Sequence, residues 1–147
     1  MTTLIESVAD RLDTEVAALH KRIETIADLA ALMSEGAMPQ RDVAAFVVPL
    51  GFDDRGGDAA AGLHTQLIAE SVGVILCVKS LGDAKARRAV PAVDGLKDQV
   101  IDALVGWAPD HVVGVFRTSR GRLVSVNKGL VIYQIDFVLV DQLRIER

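Results

Sequence analysis

Few residues in this sequence are spaced so that they could act together in chemistry. Its three histidines, His20, His64 and His111, lie far apart, and none has another His, a Cys or a carboxylate at the spacing of a known metal motif. Isolated histidines of this kind are more often surface or hydrogen-bonded structural residues than metal ligands. We therefore expect no metal site.

The adjacent carboxylates Asp53 and Asp54 are the best candidates for acid and base roles. They stand in a glycine-rich stretch that offers nothing to desolvate them and set their pKa values apart. Gly56-Gly57 lacks the Lys-Ser/Thr partner of a phosphate-binding loop, and neither a G-x-S-x-G nor a G-x-G-x-x-G motif occurs. The sequence predicts neither a catalytic site nor a cofactor.

Charged residues point to contact surfaces instead. A basic cluster follows Phe116 around a predicted hairpin tip and consists of Arg117, Arg120, Arg122 and Lys128. Such a cluster suits an acidic protein surface or a DNA phosphate, and a merely solvated tip is the alternative. The candidate interface residues are Asp53, Asp54, Arg55, Arg117, Arg120 and Arg122.

The composition is that of one globular domain. Of 147 residues, 50% are hydrophobic and 24% charged, so we expect one sizeable core and neither a disordered chain nor a membrane span. The net charge of -4 argues against general nucleic-acid binding, although DNA merely passing the protein is compatible with it. The N-terminus lacks the features of a secretory signal, which favours the cytosol, and Cys77 in its apolar run is expected to be an inert core residue.

The N-terminal segment predicts a helix that begins at a capping box. Thr3 and Glu6 have capping-box spacing, and apolar residues follow at intervals of three and four up to Ile26. Either this helix continues into the thirties, or it stops early and residues 21–26 form a short strand before a helical turn. Residues 36–39, which include a glycine and a proline, end whatever precedes them.

Two strands and a loop are predicted in the middle of the chain. Residues 43–50 are β-rich, and Pro49 suggests a sheet edge or a strand terminus. The polar, glycine-rich residues 51–63 predict an exposed flexible loop. Residues 67–79 are apolar on both alternating faces, which predicts a central strand with a layer on each side.

The C-terminal half predicts a helix followed by strands. The helix has Pro91 in its first turn and stops at Gly106. Its apolar stripe consists of Val93, Leu96, Val100 and Leu104. The strands are predicted at residues 112–118, 122–126 and 130–140, and the last two form a hairpin. Along the last strand one face is apolar, whereas Gln134 and Asp136 interrupt the other face. Together the elements predict a single α+β domain over residues 1–147, with a mixed or mostly antiparallel twisted sheet packed with helices.

Several short motifs follow one another in a distinctive order between residues 23 and 139. They are Ala45-Phe46-Val47-Val48-Pro49-Leu50, the polar loop, the apolar strand ending in Lys79, Gly82-Asp83, Gly106-Trp107-Ala108-Pro109, and the closing hairpin with Gly121-Arg122-Leu123 and residues 129–137. This order resembles that of the tail terminator proteins of long-tailed phages and prophages. The strand-proline-loop element and the helix stop at residues 106–109 carry most of the resemblance.

The resemblance implies a structural virion assembly protein and not an enzyme. Members of such a family would form a homohexameric ring that caps the tail tube, stops its polymerisation and presents a surface to the head or neck. The implied partners are copies of the chain itself, the tail tube protein and a head-tail connector, with DNA only passing through the lumen. The resemblance implies no cofactor and no membrane, and a location in the virion tail and, during assembly, in the host cytoplasm. By the same analogy, the loop at residues 51–63 projects toward the lumen or the tube.

Two alternatives remain open at this point. A neck or head-completion connector would share the build and the charge but bind the head portal instead of the tube. A small hydrolase or ligand-binding protein would use Asp53, Asp54 or His64, and only the glycine content of the loop motivates it.

Overall fold

Five strands and three α-helices lie within the residues that the computed structural model describes, which are 2–24, 26–35, 42–80, 87–127 and 129–147. In chain order they are α1 (Leu4–Glu15), a 3-10 turn (Ala17–Leu19), β1 (Ile23–Glu24), α2 (Ile26–Glu35), β2 (Val43–Ala60), β3 (Leu63–Lys79), α3 (Ala89–Leu104), β4 (Arg117–Asn127) and β5 (Leu130–Glu146). The sequence predictions that used residues 36–39, Gly82, Asp83 and Lys128 fall outside the described residues.

The strands form one mixed sheet in the order β1-β2-β3-β5-β4. β1 runs parallel to β2 and pairs with it at Ala45 and Phe46, whereas the other three pairs of neighbours are antiparallel. The predicted α+β class with a mixed, mostly antiparallel sheet is confirmed. β3 lies in the middle of the sheet, as its two apolar faces predicted.

Each face of the sheet carries its own helical layer. On the face that we call the helical face, α1 and α3 pack on alternate strand residues such as Leu76, Ile135 and Phe137. On the opposite face, which we call the α2 face, Leu29 of α2 packs against a smaller cluster that includes Phe46. Because successive strand residues point to opposite faces, these clusters assign every strand position to one face.

The N-terminal alternatives are resolved in favour of a short helix followed by a strand. The Thr3 hydroxyl accepts a hydrogen bond from the Glu6 N–H at 3.1 Å and caps α1. Asp13 then accepts the Lys21 N–H at 2.6 Å, and Lys21 adopts a left-handed φ of 59°. This contact stabilises the chain reversal after α1, so the helix stops and β1 and α2 follow.

The predicted flexible loop at residues 51–63 is wrong. These residues form the outer half of a long hairpin, in which β2 and β3 pair up to Ala60 and Leu63. The glycines do not open a loop because Gly51 and Gly56, with φ of 117° and 100°, lie at two register shifts within a continuous ladder. The turn has only two residues, Ala61 and Gly62, both with positive φ, as hairpin turns of the I′ type require.

Pro49 lies inside β2 and not at its end, so the predicted strand terminus is wrong and the predicted edge is right. β1 pairs only with residues 45–46, so β2 is the edge of the sheet at Pro49 among the described residues. Proline has no N–H to donate. No ladder hydrogen bond is lost where that side of the strand has no neighbouring strand. A register shift follows between Pro49 and Gly51.

The strand predicted at residues 112–118 begins only at Arg117. The N–H of Phe116 donates to the Trp107 carbonyl at 2.8 Å, and the N–H of Gly106 donates to the Phe116 carbonyl at 2.9 Å. These backbone hydrogen bonds pair Phe116 with the chain that leaves α3, so the ladder with β5 begins only at Arg117. The rest of the predicted hairpin is confirmed, with β4 and β5 both longer than expected.

α3 confirms the predicted helix and contains one glycine that the fold does not need. Gly95 is exposed in the helix, and a Cβ added there would meet no atom within 4 Å. We expect Gly95→Ala to raise the free energy of unfolding by about 1 kcal/mol, because glycine loses more backbone entropy than alanine in a helix. Urea unfolding followed by circular dichroism measures this change.

The matched control for Gly95→Ala is Gly62→Ala at the hairpin turn. Gly62 has a φ of 82°, and its added Cβ would lie 3.0 Å from the Arg147 carbonyl oxygen. This variant should lose stability. A destabilised Gly95→Ala protein would contradict the helical assignment of this position.

Candidate functional site: two open sheet edges

The sheet ends in two strands whose outer edges have no strand neighbour among the described residues. At one end, β1 covers β2 only at residues 45–46, which leaves residues 48–58 of β2 open, and we call these the arm edge. At the other end, β4 pairs with β5 alone, and all of its residues are exposed. Such edges present rows of unpaired N–H and C=O groups, which are templates for pairing with another chain.

The arm edge belongs to a three-stranded arm that extends past the helices. Residues 50–60 of β2 are exposed, although they are paired throughout with β3. β5 runs along the other side of β3, and its pairing reaches Glu146 opposite Leu63. The N–H of Arg147 donates to the Gly62 carbonyl at 2.8 Å and ties the end of β5 to the hairpin turn. The arm is therefore a three-stranded sheet that no helix of the described residues covers.

The three predicted interface arginines lie along β4 and not at a hairpin tip. A register shift between Thr118 and Arg120 brings Arg117, Arg120 and Arg122 opposite three alternate residues of β5, which are Val138, Asp136 and Gln134. All three arginines therefore point to the α2 face. Of these, Arg122 donates to the Gln134 side chain at 3.3 Å. The fourth member of the predicted cluster, Lys128, is outside the described residues.

The predicted carboxylate pair is split between the two faces of the arm. Asp53 lies opposite Ala69 on the α2 face, whereas Asp54 points to the helical face. Asp54 accepts hydrogen bonds from the Gln66 side chain and the Gly56 N–H, both at 2.9 Å. The Gln66 contact and then the Gly56 contact lower the pKa of Asp54, so it stays ionised at neutral pH. The two acids do not form an acid-base pair.

Sequence reasoning missed a third acid that belongs with Asp53. Asp58 lies opposite Thr65 and points to the α2 face, as Asp53 does. The arginines of β4 and these two acids thus share one face of the sheet but stand at its opposite edges. Arg55 lies between Asp53 and Asp58 in β2, at the register shift that follows Asp54. The segment GFDDRGGDAA has no alternation of polar and apolar residues, so the sequence offered no signal for this strand.

The histidines do not converge on a common site. His20 Nδ1 lies 3.2 Å from an Asp13 carboxylate oxygen, and His64 Nε2 lies 3.4 Å from Gln66 Oε1. His111 borders a surface cleft between α1 and the chain after α3. Among the residues that the structure describes, no group of three or more His, Cys, Asp or Glu side chains could hold a metal ion.

That cleft measures about 810 Å³ and is built around Arg11 and Trp107. The Arg11 guanidinium lies 5.2 Å from the centre of the Trp107 ring, donates to the Ala103 carbonyl at 3.0 Å and pairs with Glu15 at 3.2 Å. These contacts join α1 to the end of α3. The arginine therefore already has a structural role in this cleft.

Cys77 is buried, and burial raises the pKa of its thiol to about 11. Because the thiolate is the reactive form, we expect labelling of native Cys77 at pH 8 to be at least about tenfold slower than in urea-unfolded protein. The release of thionitrobenzoate from Ellman's reagent measures both rates. Equal rates would mean that the α2 face opens readily at this position.

Comparison with protein families identifies the chain. The family model for the phage tail terminator protein matches residues 2–147. The chain belongs to the phage tail terminator family. The predicted resemblance is confirmed and extends beyond residues 23–139 to nearly the whole chain. No curated protein matches the chain.

Membership of the tail terminator family makes this chain a structural protein of a phage tail and thus a virion component that associates with other tail proteins. In the described residues, no helix is both long and apolar enough to cross a membrane. The family is one of structural proteins, which agrees with a candidate site made of strand edges and not of converging titratable groups.

Proposed function

We propose that this chain caps the growing tail tube as a homo-oligomeric ring, ends tube polymerisation, and presents its other surface to the head or neck. The observation that carries the ring is the sheet itself, whose two end strands have outer edges of opposite charge and no strand neighbour among the described residues. A surface that complements a different surface of the same molecule makes a heterologous contact, and such contacts close into rings when the rotation permits.

The number of copies follows from the family resemblance, and we propose six. The partners are then other copies of this chain, the tail tube protein and a head-tail connector. DNA passes through the lumen, and a chain with a net charge of -4 offers little general attraction to it. The protein acts without a cofactor, assembles in the host cytoplasm and remains in the virion tail.

The decisive experiment removes the protein from a phage or prophage that encodes it. Electron micrographs of lysates should then show tail tubes of heterogeneous and excessive length, and complementation with the wild-type gene should restore one length. The purified protein should form ring-shaped particles with six-fold symmetry. Tails of uniform, normal length in the absence of the protein would refute the capping role.

The same lysates separate a tail terminator from a neck or head-completion subunit. A neck subunit acts after the tube is complete, so its loss should leave tails of normal length that lack heads. Co-purification of the tagged protein with the tube protein, and not with the portal, is expected for the terminator. Recovery with the portal alone would favour the connector role.

A further inference from the structure

We propose that β4 of one copy pairs with the arm edge of the next copy, so that a continuous β-sheet runs around the ring. This inference rests on the ring of the proposed function and assigns the surfaces that hold it together. Within the described part of one molecule no strand pairs with either edge, and exposed edges of this length favour aggregation. A second copy offers each edge a partner of the opposite kind.

The strand directions suit this contact. β2 is antiparallel to β3, β3 to β5, and β5 to β4, so β2 and β4 run in opposite directions. A copy set beside the first in the same orientation brings β4 next to an antiparallel β2. The antiparallel alternation of the sheet therefore continues across the boundary.

β1 determines how far the two copies must be shifted along the strands. It occupies the edge of β2 at residues 45–46, so the neighbour's β4 must pair further along. Through its partners, Arg117 is level with Ser71 of β3, whereas Asp58 is level with Thr65, six residues along the strand. A six-residue shift, roughly 20 Å, sets β4 beside the arm edge and leaves β1 in place. Val126 then lies opposite Pro49, where the new ladder lacks one N–H donor.

That shift pairs opposite charges on the α2 face. It places Arg117 opposite Asp58, and it places Arg122, which is level with Ile75, opposite Asp53, which is level with Ala69. Between these two pairs, Arg120, which is level with Gly73, meets the register shift that contains Arg55, so one like-charge contact stands between two opposite-charge pairs. Because the shift is an even number of residues, all four charged side chains remain on one face. Opposite charges directly across a strand pair stabilise it, and like charges destabilise it.

The same shift covers an apolar pair on the helical face. Leu123 is level with Leu76 through Tyr133, and Phe52 is level with Glu70, again six residues apart. Leu123 is 55% exposed and Phe52 is 69% exposed in the single chain. Their contact across the boundary removes two large apolar side chains from water, which favours association.

Charge also selects this pairing over symmetric ones. Two β4 edges placed together would face arginines with arginines, and two arm edges would leave those arginines without acidic partners across the boundary. Like charges on facing strands disfavour the first arrangement, and the second lacks the opposite-charge pairs. The contact is therefore head to tail and suits a ring, not a two-fold dimer.

Cysteine pairs test the register. We would combine Cys77→Ala with Leu123→Cys in one protein and with Phe52→Cys in another, and make the neighbouring pair Arg122→Cys and Asp53→Cys in the same way. Hydrogen-bonded and non-hydrogen-bonded pairs alternate along antiparallel strands, so one of the two pairs has the closer geometry that a disulfide needs. Oxidation of the mixture should give a cross-linked dimer for at least one pair. Each variant oxidised alone should not cross-link, because the contact is head to tail.

Charge reversal tests the energetics. R117D/R122D should weaken self-association at least about tenfold in sedimentation velocity, and D53R/D58R should do the same. Mixing the two variants, or combining all four changes in one chain, should restore association. The control D10R/D102R reverses two exposed acids on α1 and α3 and should assemble as the wild type does.

The outcomes separate this inference from the proposed function. Rings that form without any cross-link, and whose assembly ignores both charge reversals, would overturn the edge pairing and leave the capping role intact. Cross-links within a single-cysteine variant would overturn the head-to-tail arrangement. A chain that neither self-associates nor limits tube length would overturn the ring, the edge pairing and the capping role together.

Discussion

Replacing Phe116 with alanine should lower the free energy of unfolding by about 3–5 kcal/mol, which is the cost of truncating a buried phenylalanine. Phe116 is 1% exposed. Its ring stacks on Trp107 at a centroid distance of 6.1 Å and meets Phe137 edge to face at 6.4 Å. The cavity would lie between the end of α3 and the start of β4. Backbone hydrogen bonds hold the chain in place there, so the cavity can collapse only in part. Urea unfolding followed by tryptophan fluorescence measures the loss.

The matched control for this change is Phe52→Ala. Phe52 is 69% exposed on the arm, so its truncation should change the free energy of unfolding by less than about 0.5 kcal/mol. The edge pairing nevertheless predicts weaker self-association for this variant. Equal losses of stability in the two variants would contradict the packing of Phe116.

Replacing Gly114 with alanine should lower the free energy of unfolding by about 2–3 kcal/mol. A Cβ at this position would overlap the carbonyl oxygen of Val140, which is backbone of β5 and cannot turn away. The neighbouring Val113 N–H donates to the Asp141 carboxylate at 3.3 Å, so the segment before β4 lies against β5 through close backbone approach. The variant must displace that segment. Thermal unfolding by circular dichroism measures the cost.

Exposed neighbours of Gly114 provide its control. Val113 and Val115 are both largely exposed, so alanine at either position should leave stability nearly unchanged. A Gly114→Ala protein as stable as these two variants would show that the segment moves away from β5 at little cost.

The fold was largely predictable because its core obeys local rules. The stripe of α3 and the two apolar faces of β3 are periodic, and buried positions repeat with the period of the element that contains them. Gln134 and Asp136 marked the polar part of the α2 face in the same way, and Gln134 donates to Asp136 at 2.8 Å there. These patterns needed no knowledge of distant partners.

The candidate site was predictable only in part. Charge alone singled out Asp53, Asp54 and the arginines, but not which of them act together. Their roles in an interface stay a prediction. Strand alternation separates Asp54 from Asp53, and it joins Asp53 to Asp58, which the sequence had placed in a loop.

The sequence by itself determined the α+β class, the core, the central strand and the resemblance to tail terminators, because these depend on local periodicity and on the order of short motifs. Only the tertiary structure decided that residues 51–60 are strand, that β4 is the last strand of the described sheet and that acids and arginines share one face. A polar, glycine-rich segment has no apolar period of its own, so its conformation depends on pairing with β3. β3 is in turn held on its other side by residues 139–146 of β5, which are distant in sequence, so this conformation is decided when the sheet forms.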